Sequence, residues 1–202
     1  EIGCGNGKNL DFRKDCINIG IDLVPNFCHI TANRGIESAV MNNKQLSFRD
    51  NSVDIVICSE VLEHLHEYND AINEIHRVLK PGGKFYASVP ASWPEKICWA
   101  LSKDYQNQPG GHLRIFNQKS LIEEIKLSGF NFLSSEKFHS IHSPYWWLRC
   151  LFWKSQDSNF FVNKYKKLLE KHILEKPKLL DSIDKFLNPI MGKSFAMYFE
   201  KL

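Results

Sequence analysis

Glycines stand at 3, 5 and 7 in the opening Glu1-Ile2-Gly3-Cys4-Gly5-Asn6-Gly7, and an apolar run from Cys16 to Ile21 ends in Asp22, 15 residues after Gly7. Glycines at this spacing let the backbone turn tightly and let a ligand approach with no Cβ in the way. A carboxylate at the tip of a second strand, beside such a loop at the tip of the first, can accept hydrogen bonds from both hydroxyls of a ribose. Each such bond is worth about 1.5 to 3 kcal/mol. The dinucleotide fingerprint is Gly-x-Gly-x-x-Gly; here the third glycine comes one residue early and Glu1 precedes the first. That pattern suits a ligand with an amino acid moiety and no phosphate to set on a helix N-terminus.

Further signatures follow. Asp50-Asn51-Ser52 is a turn, and Val53 to Cys58 is a continuous β-branched run that reads as a strand buried on both faces. At Leu79-Lys80-Pro81-Gly82-Gly83 a helix stops and another buried strand begins. In order over residues 1 to 90 stand Glu-x-Gly-x-Gly-x-Gly, the acid Asp22, Leu46-x-Phe48-x-Asp50-x-Ser52-x-Asp54, Glu60-Val61-Leu62-Glu63-His64-Leu65 and Leu79-Lys80-Pro81-Gly82-Gly83. Together they resemble a class I S-adenosylmethionine-dependent methyltransferase, of the type 11 small-molecule group that includes the quinone-biosynthesis enzymes.

The resemblance implies roles. Glu1, Gly3, Gly5 and Gly7 would line the methionine end of S-adenosylmethionine, with Cys4 and Asn6 giving backbone contacts. Asp22 would hold the ribose diol and Leu23 would pack on adenine. The acid that relatives set against the adenine amino group falls at Asn42, a departure in which an amide carbonyl accepts from the same amine. Ser59 and Glu60 would sit near the methionine portion or the sulfonium, Ser59 through its backbone.

Methyl transfer is an in-line displacement at a sulfonium, so most of the acceleration comes from holding nucleophile, methyl and sulfur collinear. An alcohol or phenol acceptor must also lose a proton, for which an imidazole is suited. His112, in Gly110-Gly111-His112-Leu113-Arg114-Ile115-Phe116, follows the fifth strand where relatives place a similar His. It is the candidate general base, with Tyr105 and Asp104 as weaker options; the alternative is that His112 and Arg114 only fix the loop. The other histidines supply no convergent set of about four ligands, so no metal is expected.

These residues need elements to position them. Strands are expected near 1–3, 16–22, 38–42, 53–59, 83–89, 130–138 and 194–200, and helices over 7–14, 25–33, 69–79 and 118–128. The alternation implies an α/β, Rossmann-like, seven-stranded and mostly parallel sheet, whose last strand the resemblance makes antiparallel, with ligands at the C-terminal strand edge. About 55 residues, 139–193, separate the last two strands, where a short turn would suffice. This insertion is expected to be helical: Tyr165, Leu168, Leu169, His172 and Ile173 share one face, Leu179-Leu180-x-x-Ile183-x-x-Phe186-Leu187 follows Pro177, and Asn188-Pro189 ends it.

Composition divides the same way. Residues 1–90 carry 9 Lys/Arg against 12 Asp/Glu and 6 of the 25 aromatics; residues 91–202 carry 17 against 11 and all five Trp. We read a single domain over 1–202, with a cofactor-binding half at 1–90 and a substrate half at 91–202. The insertion is either a packed helical cover or a platform for an anionic or lipidic acceptor, with Tyr145, Trp146, Trp147 and Trp153 suited to a peripheral membrane contact. Nucleic acid is disfavoured by a pI near 8.5 without a dense basic stripe. Six cysteines without a Cys-x-x-Cys pair point to free thiols and a cytoplasmic protein, no apolar run is long enough to span a membrane, and the absence of Met before the motif reads as a missing N-terminal segment. The expected activity is methyl transfer to oxygen of a small-molecule or lipid-linked acceptor; an RNA or protein methyltransferase, or a non-catalytic cofactor-binding subunit, is the alternative.

Overall fold

Gly3, Gly5 and Gly7 take φ of +68°, +51° and +71°, which decides how the chain enters its sheet. In the computed structural model, which describes residues 1–10 and 15–202, Ile2 bridges in parallel to Ile21 on one side and to Cys58 on the other. Gly3 then turns the backbone out of the extended region. Among the described residues the expected first strand is the single bridged residue Ile2, and the seven-stranded sheet is corrected to six strands, two in one sheet and four in the other. Residues 8–10 form a short 3-10 turn; the rest of the helix expected over 7–14 lies outside the described residues.

The elements are β1 Ile19–Asp22, α1 Pro25–Ala32, β2 Glu37–Val40, β3 Val53–Ser59, α2 Tyr68–Val78, β4 Leu79–Pro90, α3 Ser92–Leu101, α4 Lys103–Gln106, α5 Gln118–Leu127, β5 Phe130–Phe138, α6 His142–Leu151, α7 Phe160–Glu175, α8 Lys178–Met191 and β6 Ser194–Lys201. β1 pairs with β2, and the second sheet has the order β3-β4-β6-β5. β1 and β2 run parallel, as do β3 and β4. Phe85 stacks on Phe199 and Tyr86 meets Tyr198, so β6 retreats as β4 advances and is antiparallel.

The chain forms two compact units. In the first, comprising Glu1–Ser88, Leu121–Ser134 and Met197–Leu202, α2 places Ala71, Ile72, Ile75 and Val78 at helical spacing, all fully buried. Phe85, Phe130 and Phe199 pack there ring on ring, with centroids 5.3 to 6.3 Å apart. Leu121 and Ile125 of α5 are likewise fully buried.

The second unit, Val89–Ser120 and Ser135–Ala196, has a core of Cys98, Tyr105 and Cys150, against which Trp99, Trp146, Trp147 and Trp153 pack. The tryptophans expected at a membrane interface are therefore largely internal. The stretch between β5 and β6 is helical in α6, α7 and α8. α8 runs to Met191 and includes Pro189 in its last turn, beyond the expected stop at Asn188-Pro189. Asp184 fixes its orientation: this buried carboxylate accepts from the Ser140 hydroxyl at 3.0 Å and the Ile141 N–H at 3.0 Å, at the N-terminus of α6. All six cysteines are free thiols.

Candidate functional site

The glycine loop and the tip of β1 are tied together by backbone. Asp22 Oδ2 accepts from the Gly5 N–H at 3.0 Å and Oδ1 from the Val24 N–H at 2.9 Å. Both oxygens keep a second lone pair, so a diol can be held without breaking the loop. No atom lies within 4 Å of where a Cβ on Gly5 would stand, whereas one on Gly3 would come 2.4 Å from Val61 Cγ2. Gly5 is therefore the open face of the loop and Gly3 its packed face. Cys4 lies between them, buried, with its N–H on the Ile21 carbonyl.

Glu1 Oε1 accepts from Asn9 Nδ2 at 2.7 Å, while Oε2 is buried with no hydrogen-bond partner. Burial, only partly offset by the Asn9 bond, holds this carboxyl above its ordinary value. A carboxylate oxygen in that position seeks a cationic donor, as an amino acid's ammonium would supply. The donor set of this loop thus fits the methionine end of S-adenosylmethionine, and Asp22 fits its ribose.

Leu23 presents an exposed apolar side chain next to Asp22. Asn42 is exposed, and its Oδ1 already accepts from the Lys44 N–H at 3.0 Å. The amide is thereby fixed in an Asx turn with one lone pair remaining. At the end of β3, Ser59 Oγ lies 2.9 Å from Ser88 Oγ, which donates to Glu60 Oε1 at 3.0 Å. Glu60 itself takes φ of +54°, a strained conformation for a non-glycine residue.

His112 belongs to the second unit, where the sequence did not show its partner. Glu95 of α3 has no exposed surface, and its Oε1 lies 2.7 Å from His112 Nδ1 and accepts from the Tyr105 hydroxyl at 2.8 Å. Lys193 Nζ donates to Glu95 Oε2 at 2.6 Å. Burial pushes the Glu95 carboxyl up, but the His112 hydrogen bond and the Lys193 charge outweigh it and bring it down to about 2. An ionised carboxylate only accepts, so Nδ1 of His112 donates to it. Burial and the Glu95 charge push the Tyr105 phenol well above its ordinary value, which makes it a donor to Glu95 and a poor base. Asp104 is exposed on α4.

Residues 1–87 match the family model described as a methyltransferase domain. Over 117 residues, 56% of this chain, the sequence is 32% identical to the tRNA (carboxymethyluridine(34)-5-O)-methyltransferase ALKBH8 of Mus musculus, of which the match covers 16%. Over 134 residues, 64% of this chain, it is 32% identical to a Mycolicibacterium smegmatis protein named as a probable S-adenosylmethionine-dependent methyltransferase, of which it covers 50%. The chain therefore spans half or less of the length of these relatives. A crystal structure of a methyltransferase of the same cofactor dependence from Archaeoglobus fulgidus superposes with a TM-score of 0.64 over 99% of this chain and 84% of that one, at 15% identity. The fold is that of the class I S-adenosylmethionine-dependent methyltransferases. Residues 1–87 are thus similar to methyltransferase domains. The tRNA-acting relatives give no support to the expectation set against nucleic acid.

Proposed function

We propose that the chain transfers a methyl group from S-adenosylmethionine to an oxygen of a small-molecule or lipid-linked acceptor. When bound, the cofactor supplies an electrophilic methyl group on a sulfonium. Glu1, Gly3, Cys4, Gly5, Gly7 and Asp22 hold its methionine and ribose parts, Leu23 and Asn42 take the adenine, and Ser59 and Glu60 border the sulfonium end. His112 removes the acceptor's proton, and Glu95 keeps its imidazole in the tautomer that can do so. In this reading residues 1–90 serve the cofactor and 91–202, with the helices of about 139–193, serve the acceptor.

The observation that carries the reading is the 2.7 Å contact between His112 Nδ1 and the fully buried Glu95, because a carboxylate accepting from Nδ1 leaves Nε2 as the nitrogen that can take a proton. An RNA acceptor is the second reading, favoured by the name of the mouse relative. Isothermal titration with S-adenosylhomocysteine tests the cofactor part: micromolar binding that Asp22→Ala weakens about tenfold or more is expected. No binding by the folded wild type sinks both readings. Incubating the protein with labelled cofactor and either bulk tRNA or a lipid and quinol extract separates the acceptors by which fraction acquires label.

A further inference from the structure

Helix α8 turns an apolar stripe outward. Leu179, Ile183, Phe186 and Ile190 recur at steps of four, three and four residues, which puts them on one face, and all four are exposed, Leu179 at 72% and Phe186 at 77%. The buried Asp184, with its bonds to Ser140 and Ile141, holds the helix in this orientation. Lys178 and Lys185 flank the stripe. On α7 the outward face carries Phe160, Lys164, Lys167, Lys171 and Leu174 together with the exposed Glu170 and Glu175, with Phe160 69% and Leu174 82% exposed.

The charge on these helices is one-sided once ion pairs are drawn. Residues 160–191 hold seven lysines and four acids. Glu170 pairs with Lys166, Glu175 with Lys171 and Asp181 with Lys185, and Asp184 is buried. The charge left over is cationic, at Lys164, Lys167, Lys176 and Lys178. A nucleic acid would meet the lysines but has no use for Leu179, Ile190 and Phe186. A second copy of this chain would bring lysine against lysine. An occupant both anionic at its surface and apolar beneath answers both features, and side chains of this type insert while lysine heads remain among headgroups.

We propose that the outward faces of α7 and α8 dock on an anionic lipid bilayer. The tryptophan-rich run of α6 takes no part, since it packs inside its unit. This inference stands apart from the methyl-transfer reading, because it is measured with no methyl donor present. The test is flotation of the whole chain with vesicles of phosphatidylcholine alone or mixed with phosphatidylglycerol. Binding to the mixed vesicles is expected, about tenfold weaker on phosphatidylcholine alone, and lost to a similar extent in Phe186→Ser/Leu179→Ser and in Lys178→Glu/Lys167→Glu. These positions are exposed, and unchanged circular dichroism melting of the variants verifies that folding is intact. Should a variant misfold, the wild type alone decides: binding to the mixed vesicles that high salt weakens is expected, and binding that high salt leaves unchanged overturns the proposal. No binding to mixed vesicles overturns the proposal, as does equal binding to both vesicle types. Concentration-dependent self-association abolished by Phe186→Ser, without vesicle binding, overturns it in favour of a second copy.

Discussion

Glu95 and His112 stand 17 residues apart in the chain and 2.7 Å apart in space, Oε1 to Nδ1. The carboxylate is inaccessible to solvent and carries two further donors, the Tyr105 hydroxyl and the Lys193 ammonium. Three donors converge on one anion, so its charge is compensated without water, and the imidazole is oriented by a group that cannot itself drift. In the proposed transfer Glu95 acts through His112, as a positioning residue.

Replacing His112 by Gln keeps a side-chain amide within reach of Glu95 but removes the base. The expected result is an unchanged Kd for S-adenosylhomocysteine and a kcat lower by about 10² to 10⁴ on an oxygen acceptor. Turnover within about twofold of wild type would assign His112 to loop packing alone.

Glu95 also sets an acid limit on stability. Its carboxyl sits at about 2 in the folded chain against an ordinary 4.5. A depressed folded value contributes stability that is fully present above pH 4.5 and is lost as pH falls toward 2. The total at stake is roughly 3 kcal/mol. Urea denaturation at pH 5 and pH 3 should show this loss in the wild type. In Glu95→Gln the loss should be smaller and the variant less stable at pH 7, because Lys193 is left buried without its anion. Equal acid sensitivity in both proteins would refute the assignment.

The geometry of the glycine loop is legible from sequence because it is local: the glycines turn the chain wherever it folds, and Asp22 is brought beside them by a single strand connection. Glu95 is different. It lies in Ser92-Trp93-Pro94-Glu95-Lys96, where no helix is expected, and its partners lie 17 and 98 residues on. The tryptophans are a related case. An aromatic run looks alike whether a membrane or Tyr105 receives it, and only the packing of α3, α4 and α6 decides. Likewise Ile2 has the composition of a strand, and Gly3, at φ +68°, turns the chain out of the extended region just after it.

The two glycines should separate by experiment. Gly5→Ala strains a φ of +51° in open space, while Gly3→Ala strains a φ of +68° and drives its Cβ to 2.4 Å from Val61 Cγ2. Losses of about 1 to 2 kcal/mol and about 2 to 4 kcal/mol are expected. Thermal denaturation of Gly3→Ala, Val61→Ala and the pair would show the double variant recovering part of the Gly3→Ala loss. Strict additivity would locate the cost in the backbone alone.

Lys201, buried near the end of β6, spends all three ammonium hydrogens on Asn51 Oδ1 at 2.7 Å, the His76 carbonyl at 2.7 Å and the Leu79 carbonyl at 2.8 Å. It thereby caps the C-terminus of α2, where a cation also answers the helix dipole. Lys201→Met keeps the stem and removes the head, leaving buried acceptors unsatisfied. A loss of about 2 to 4 kcal/mol in urea denaturation is expected; a loss below about 0.5 kcal/mol would mean that water replaces the ammonium without penalty.

His142, the first residue of α6, has its Nε2 buried with no hydrogen-bond partner, and burial together with the neighbouring His139, 5.0 Å away ring to ring, lowers it to about 4. Asp184 pulls the other way and His172 adds to the lowering, without reversing it. A histidine kept neutral in the fold but ordinary when unfolded binds fewer protons folded than unfolded between pH 6.5 and 4. Stability is therefore complete above about pH 6.5 and declines toward pH 4, by up to roughly 3 kcal/mol. His139, also lowered by burial, adds to the same window, which lies above that of Glu95. Tm should fall between pH 7.5 and pH 5 in the wild type and fall much less in His142→Leu, which cannot be protonated. If the two profiles run parallel, the acid sensitivity in that range belongs to another group.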